Sequence, residues 1–341
     1  MARFDRTNLD SIGWERTLSA FPDRVVFQTP AWLSFVAETQ KAEPVLAVLK
    51  EGRQILGYFT GLIVKRLGLR FLGSPLRGWS TPYMGFNLLP STPRRIAVEA
   101  MSDFAFGELG CIHFEVVDSH MTLNDIEGLG GTHEMSSTYE IDLTQSEDAL
   151  FHRMSSSCRN EIRQAERYGV SIEEATDEDF PQDFSNQFKD VLAKQRMVPM
   201  FGASRVRALI KHLLPTGRLL LLRARDPAGR CIATGVFVAT NEAMFFWGGT
   251  SWRQYQKFHP NHALQWYAMR YWKKRGIGIY NMVGIKEFKR QFGGRQTAVP
   301  AIRQSKYRLI SFLRASAPKA VRRAQYLAWR FKTVAGGNHP Q

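Results

Sequence analysis

Apolar and polar positions in the first 117 residues follow patterns that predict two helices and three strands. Thr29 and Pro30 are typical N-cap and first-turn residues, and Trp32, Phe35 and Val36 give the helix that follows an apolar side. A tight Glu-Gly turn separates the first two strands, and a glycine ends the second helix. The predicted ranges are a helix over 30–39, strands over 45–50 and 54–65, a helix over 92–108 and a strand over 112–117.

The residues after 150 repeat this order, with additional helices at the start. A helix is predicted to begin at Ser155 and to end at Gly169, because glycine favours the position that closes a helix. The later strands are connected by Asp226–Gly229 and Asn241–Glu242, which contain turn-forming residues. The predicted ranges are helices over 155–168, 183–196 and 203–214, strands over 218–225, 231–240 and 243–249, a helix over 261–275 and a strand over 277–283.

The repeated order of elements indicates a duplicated α/β unit with a mixed sheet in each copy. Both copies contain a helix end, a glycine and then a strand in the same register, at Gly110 and at Gly276. We therefore predict two domains, 1–143 and 144–306, followed by a C-terminal tail, 307–341. Two separate, similar sheets with a groove between them are expected.

Composition is that of a globular protein, with 341 residues of which 44% are hydrophobic and 23% are charged. The longest apolar runs are strand-sized and the N-terminus has no secretory pattern, so a cytoplasmic location is expected. Cys111, Cys158 and Cys231 lie far apart, and neither they nor the histidines show metal-binding spacing, so no metal is predicted. The sequence also has no GxSxG pattern, which weighs against a hydrolase.

Positive charge is concentrated near the C-terminus, where residues 288–341 contain 12 Lys and Arg residues and no Asp or Glu, out of a net charge of +15. A segment this one-sided indicates an anionic partner. Residues 316–334 are predicted to form a basic amphipathic helix, with Ser316 as N-cap and Pro318 in the first turn. The helix either lies on an anionic membrane surface, at the inner face of the cell membrane, or docks on the protein itself.

Two segments, Phe288–Gly294 and Arg159–Val170, resemble the Fem-type aminoacyltransferases of the tandem GNAT superfamily. Those enzymes build peptidoglycan cross-bridges, and relatives occur in exopolysaccharide gene systems. Less specific similarity is present in Phe27–Trp32, Trp247–Thr250 and Pro260–Met269. The resemblance implies an α/β fold of two tandem GNAT-like domains, with mixed, mainly antiparallel sheets flanked by helices.

The resemblance also implies a substrate cleft between the domains and roles for three residues. Phe288 and Lys289 match the family's Phe-Lys pair, whose lysine stabilises the oxyanion. Arg159 matches an arginine of the family that binds phosphates. Arg163 lies one helical turn from Arg159, a spacing that suits a diphosphate, although the glutamates nearby also fit an ordinary salt-bridged helix. The coiled-coil arm of the relatives that dock on tRNA is missing, which weighs against an aminoacyl-tRNA donor.

Acyl transfer to an amine needs hydrogen-bond donors that face the developing oxyanion. Gly248 and Gly249, at the end of a strand, either let a ligand approach the backbone or simply form a loop. Lys257, His259 and Asn261 surround the start of the next helix, whose free N–H groups either hold a phosphate of acyl-CoA or only begin the helix.

Three aromatic residues have two interpretations each. Tyr280, in the last predicted strand of the second half, either protonates the leaving group or packs in the core. Trp79 and Tyr83 lie in a long loop rich in glycine and aromatics, where they either stack on a sugar ring or cover the core.

The leading hypothesis is acyl or aminoacyl transfer to an amine of a cell-envelope or exopolysaccharide precursor. The donor is acyl-CoA or aminoacyl-tRNA, and the acceptor is a lipid- or nucleotide-linked sugar or peptide. An RNA-binding protein that uses the basic C-terminal segment, with tRNA among its partners, is the alternative from another class. A degenerate GNAT pair that acts as a scaffold is the third.

Overall fold

The computed structural model describes residues 1–194, 197, 199 and 202–314. The helix predicted over 316–334 lies outside these residues. In the described part of the chain, no helix combines the length and the apolar character needed to cross a bilayer.

The first 142 residues form an α/β unit that contains all five elements predicted there. The predicted helix that ends near residue 108 is divided, because an α-helical part is followed by a π-helical segment, Asp103–Glu108. The elements are β1 (Arg3–Thr7), α1 (Ser11–Ser19), α2 (Pro30–Gln40), β2 (Glu43–Glu51), β3 (Gln54–Arg66), β4 (Leu69–Ser74), β5 (Phe86–Leu88), α3 (Arg94–Ser102), β6 (His113–Val117), α4 (Leu123–Ile126) and β7 (Thr132–Asp142).

The remaining described residues form a second α/β unit, which again contains the predicted elements. The elements are α5 (Glu147–Arg153), α6 (Ser156–Arg167), β8 (Ser171–Glu174), α7 (Phe180–Lys194), α8 (Ala203–Leu213), β9 (Leu219–Arg225), β10 (Cys231–Thr240), β11 (Ala243–Ser251), α9 (Pro260–Lys273), β12 (Ile279–Asn281), α10 (Glu287–Arg290) and β13 (Arg295–Ser305).

Local capping explains why the helix ends were predictable. The Thr29 hydroxyl accepts a hydrogen bond from the Trp32 N–H at 3.4 Å, and the Ser155 hydroxyl accepts one from the Cys158 N–H at 3.2 Å. Gly169 has a φ of 71°, which is the left-handed conformation that closes α6. Each of these interactions involves neighbours in the chain, so the sequence alone specifies them.

The strands of both halves belong to one continuous sheet, so the expectation of two separate sheets is wrong. Its order is β1-β2-β3-β4-β6-β13-β7-β12-β11-β10-β9-β8, and β5 pairs with β3. The halves join because β13 returns from the second half and pairs with both β6 and β7 of the first. The other end of β7 pairs with β12, so each half contributes a strand that pairs with strands of the other half.

The duplication predicted from the order of elements is visible in this sheet. In the first half β4 pairs with β3 in the antiparallel sense and with β6 in the parallel sense. In the second half β11 pairs in the same two ways with β10 and β12. The division into domains 1–143 and 144–306 stays a prediction, and the chain leaves β7 at Asp142, next to this boundary.

Three apolar clusters cover the two faces of the sheet. Two of them each belong mainly to one half, around α3 in the first and around α6 and α9 in the second. The third is shared, because α1 and α2 of the first half and α7 and α8 of the second contribute to it together. In this shared core the rings of Phe27 and Phe245 are 4.7 Å apart between centroids.

A groove between the halves is present, but none of the residues predicted to bind substrate or donor lines it. It is a cavity of about 800 Å³ that residues of α2 and the loop after β4 line from one side and residues of α8 line from the other. The halves are therefore joined by a shared core and a shared sheet, with a recess left beside α2 and α8.

Candidate active site

A second cavity, of about 430 Å³, lies within the second half between β11, α9 and the segment that leads into α10. Five of the residues singled out from the sequence line it: Gly248, Gly249, Asn261, Phe288 and Lys289. The fold brings them together from three elements that are separated by up to 41 positions in the chain. This cavity is the candidate active site.

The opening of the cavity follows from the pairing of β11. This strand pairs with β12 only from Ala243 to Phe245, opposite Ile279 to Asn281. In the described residues the carboxyl half of β11 has no strand on that side, so its backbone faces the cavity. A separating pair of parallel strands of this kind leaves backbone N–H groups available to a ligand's carbonyl.

The two glycines at the end of β11 are constrained by neighbouring rings. A Cβ on Gly249 would lie 2.7 Å from the ring of Phe246, and one on Gly248 would lie 3.2 Å from the ring of Phe184. Both residues line the cavity, so a small residue here keeps the backbone accessible as well as making room for the rings.

Lys289 projects into this cavity from α10. Its ammonium donates a hydrogen bond to the carbonyl of Val283 and lies 5.5 Å from the centre of the Phe246 ring. Burial, together with the positive charge of Lys286, lowers the pKa of Lys289 to about 8. The ammonium form therefore predominates at pH 7, and the side chain loses its proton at a pH close to the physiological range.

The turn that receives the Lys289 ammonium has an unusual backbone. Val283 has a φ of 54°, which is a strained conformation for a β-branched residue, and Gly284 follows with a φ of 89°. The turn is held from two sides, since the Val283 N–H donates to Asn281 Oδ1 at 2.9 Å and the Gly284 N–H donates to the Thr138 hydroxyl at 3.3 Å. Strain held in this way is frequent at functional sites.

Asn281 is the central residue of this support, and no local pattern in the sequence singled it out. It is 1% exposed, accepts from the Thr138 hydroxyl at 2.7 Å, and donates to Glu140 Oε1 at 3.0 Å and to the Tyr83 hydroxyl at 3.3 Å. Its amide therefore connects β7, the loop after β4 that carries Tyr83, and the turn beneath Lys289. The pairing of β12 with β7 places Asn281 beside the β7 partners, and the shared core places Tyr83 there.

Tyr280 lies beneath the cavity and does not line it. Its side chain is 0% exposed, and its hydroxyl donates to Gln265 Oε1, while Gln265 itself lines the cavity. Burial raises the pKa of Tyr280 well above its usual value. The position is that of a packed core residue that orients Gln265, rather than of a group in contact with a leaving group.

Phe288 forms one wall of the cavity. Its ring centroid lies 5.0 Å from that of His262 and 5.3 Å from that of Phe292. These edge contacts fix the ring orientation and, with it, the start of α10.

The residues expected to bind the acyl donor divide into two groups. Asn261 lines the cavity and donates from Nδ2 to the Ser251 hydroxyl at 3.0 Å. Lys257 is exposed and lies over the ring of Phe258, and His259 precedes α9 with a φ of 53° and contacts His262. Neither Lys257 nor His259 lines the cavity, although both remain beside the start of α9.

Arg159 and Arg163 are on α6, outside the lining of the cavity. Arg159 donates to the carbonyls of His152, at 3.0 Å, and of Met154, and it thereby binds the end of α5. Arg163 lies 5.1 Å above the ring of Phe151. A phosphate at Arg159 would replace these carbonyls as its partner.

Trp79 and Tyr83 are core residues, which corrects the expectation that they stack on a sugar. Each side chain is 5% exposed, and the Tyr83 ring packs edge-on against Phe27 and Phe245. Their long loop folds inward and fills the shared core between the halves, so neither ring has a face open to a ligand.

Comparison with known proteins agrees with this geometry. Residues 152–290 match the family described as an acetyltransferase (GNAT) domain, and this range contains the whole cavity. No curated protein sequence matches the chain.

Solved structures share the fold over most of the chain. FemX has 13% sequence identity and a TM-score of 0.69, with 87% of this chain and 96% of that chain covered. L-PGS from Bacillus licheniformis has 11% identity and a TM-score of 0.55, with 92% and 97% covered. A tandem GNAT protein from the clavulanic acid biosynthesis pathway has 10% identity and a TM-score of 0.54, with 90% and 99% covered.

The predicted Fem-type, tandem GNAT resemblance is thus confirmed at the level of the fold. The chain has the tandem GNAT fold, and residues 152–290 of its second half are similar to the GNAT acetyltransferase domain family. These findings support an N-acyltransferase.

The role of Asn281 gives a prediction about stability. Asn281→Ala leaves the Thr138 hydroxyl and the Glu140 carboxylate without their amide partner, so we expect a loss of about 1–3 kcal/mol in the free energy of unfolding. Urea denaturation followed by circular dichroism measures this loss. Asn160→Ala, at an exposed position of α6, is the control and should change the free energy by less than about 0.5 kcal/mol. Equal losses in the two variants would contradict the supporting role of Asn281.

Proposed function

We propose that this chain transfers an acyl or aminoacyl group to an amine of a cell-envelope or exopolysaccharide precursor, in the cavity beside Lys289. The observation that carries the proposal is the half-buried Lys289 ammonium next to the part of β11 that, in the described residues, has no strand partner on the cavity side. Positive charge and backbone N–H groups on one small cavity are what a tetrahedral oxyanion requires.

In the proposed reaction the neutral acceptor amine attacks the acyl carbonyl carbon. A C–N bond forms, and the carbonyl oxygen takes up negative charge that Lys289 and N–H groups of β11 stabilise. The intermediate then collapses as the bond to the leaving thiol or hydroxyl breaks, and the amine proton passes to the leaving group or to solvent. Phe288 orients the segment that carries Lys289, and Tyr280 orients Gln265 at the cavity floor.

For the donor we favour an acyl-CoA over an aminoacyl-tRNA. The family match is to an acetyltransferase domain, and Asn261 places the start of α9 at the cavity, where free N–H groups suit a phosphate. The segment Arg253–Pro260 contains no glycine, so the phosphates would be bound by the helix terminus and neighbouring side chains rather than by a glycine-rich loop. Thiol release from acyl-CoA, compared with deacylation of aminoacyl-tRNA, distinguishes the two donors.

We further propose that the acceptor carries a phosphate or diphosphate that binds at Arg159 and Arg163. Both guanidinium groups lie on one side of α6, and Arg159 already faces carbonyl oxygens that a phosphate oxygen can replace. A lipid-linked or nucleotide-linked sugar or peptide has this chemistry.

Lys289→Ala tests the central claim. Loss of one oxyanion-stabilising donor usually lowers kcat by about 10²-fold or more, so we expect at least that loss in acyl transfer while the thermal unfolding midpoint is retained. Arg290→Ala is the matched control, because the next residue is exposed and pairs only with Glu287 in the described structure. Unchanged turnover in the Lys289→Ala variant would rule out the assignment.

Arg159→Ala should instead raise KM for the phosphate-bearing acceptor.

The pKa of Lys289 predicts a pH dependence with a defined sign. Because burial lowers this pKa to about 8, the ammonium is lost as the pH rises through about 8, and kcat/KM should fall on that alkaline side. Lys289→Arg keeps a positive charge throughout, so any residual activity of this variant should no longer show the decline. A wild-type rate that continues to rise above pH 8, with the same profile in the arginine variant, would show that the charge of Lys289 is not used.

The C-terminal segment is proposed to bring the enzyme to an anionic membrane. Residues 308–314 are helical, and the side chains of Leu309, Phe312 and Leu313 are each more than half exposed beside the exposed Arg308. Arg314, by contrast, pairs with the buried carboxylate of Glu115. Apolar side chains rimmed by positive charge suit the headgroup region of an anionic bilayer. The basic residues beyond Arg314 continue this character in the sequence.

Liposome co-sedimentation tests this association. Full-length protein should pellet with anionic vesicles at low salt and less at high salt, since each Lys or Arg near the surface contributes about 1 kcal/mol that salt screens. Protein that ends at Ala315 should pellet less. If both versions pellet equally, or if neither does, the segment beyond residue 315 is not a membrane anchor.

A further inference from the structure

Three side chains with metal-binding atoms converge beside the start of α9. Glu161 reaches this place from α6, His259 immediately precedes α9, and His262 lies in its first turn. One ligand atom from each lies within 4.8 Å of the other two. The sequence did not predict the cluster, because Glu161 is about 100 positions away from the histidines.

Two polar groups lie at the Nε2 atom of His262, and one ring nitrogen cannot satisfy both of them. Its Nε2 lies 2.6 Å from Glu161 Oε2 and 3.0 Å from Gln291 Nε2. A ring nitrogen offers either one proton or one lone pair, whereas a carboxylate only accepts and an amide nitrogen only donates. Rotating the Gln291 amide presents its oxygen instead, which leaves two acceptors on one N–H. A cation bound by these atoms would satisfy the lone pair, the carboxylate and the amide oxygen together, once the Glu161 side chain moves back from its 2.6 Å contact with Nε2 to make room for the ion.

Two aromatic rings pack against the imidazole of His262. The rings of Phe288 and Phe292 lie 5.0 Å and 5.7 Å from it and fix its orientation. Glu161 supplies a negative charge that compensates a divalent ion at the positive end of the α9 dipole.

We propose that Glu161, His259 and His262 form a binding site for one divalent transition-metal ion of the zinc class. Two imidazoles and one carboxylate are a ligand set that suits Zn²⁺, and Gln291 is placed to supply the amide oxygen beside it. The ion links α6 to the start of α9, next to the segment that carries Phe288 and Lys289. Its role is to fix these elements around the cavity, and it takes part in no step of acyl transfer.

Zinc titration of the full-length, untagged protein tests the site after treatment with a chelator. Competition with a chromophoric chelator should give one Zn²⁺ per chain, and Zn²⁺ should raise the thermal unfolding midpoint. Co²⁺ in place of Zn²⁺ should give a visible absorption spectrum typical of bound nitrogen and oxygen ligands. None of these measurements depends on acyl transfer, so they stand even if the proposed function is wrong.

Variants at the two partly exposed ligands locate the ion. His259→Ala and Glu161→Gln should each weaken Zn²⁺ binding by at least about 10–100-fold, the range found even for groups that only support metal ligands. His212→Ala is the matched control, because His212 also faces a glutamate, Glu38, at 2.8 Å, but belongs to no metal-like cluster in the described residues. Absence of Zn²⁺ binding, or the same affinity in the control and in both ligand variants, would overturn the proposal.

Discussion

The antiparallel pairing of β7 with β13 is the interaction on which the rest of the structure depends. Ser137 lies opposite Ala298 near the middle of the pair, and the two strands continue in opposite directions into different halves. One end of β13 pairs with β6, and the opposite end of β7 pairs with β12. The two halves therefore share main-chain hydrogen bonds as well as a core, and neither half's part of the single sheet is complete without a strand from the other half.

The geometry of the candidate active site depends on this exchange of strands between the halves. Glu140 and Thr138 of β7 hold the amide of Asn281, and Asn281 holds the turn whose carbonyl receives the Lys289 ammonium. The strained φ of Val283 persists because these buried hydrogen bonds fix the turn from both sides. The position of the Lys289 ammonium in the second half thus depends on β7, a strand of the first half.

The duplicated halves differ in what fills the space beside their parallel strand pair. In the second half β11 and β12 separate after three paired residues and leave the cavity beside Lys289. In the first half the loop after β4 folds back over the sheet, and a Cβ on Gly73 would lie 2.3 Å from the Leu76 nitrogen. Trp79 and Tyr83 of that loop enter the shared core. The same topology thus provides an open site in one half and a packed interface in the other.

The sequence by itself determined the local elements and the type of fold. Caps such as Thr29 and Ser155, glycine ends and periodic apolar residues act between near neighbours. The resemblance around Phe288 and Lys289 pointed to a segment that lines the candidate site. The sequence did not predict β7 and β13, because these strands carry many polar side chains without clear alternation and are stabilised by each other across more than 150 positions. Only the tertiary structure decided that Asn281 supports Lys289, that Trp79 and Tyr83 are buried, and that Glu161 meets His259 and His262. Each of these depends on contacts between distant segments, which no local pattern encodes.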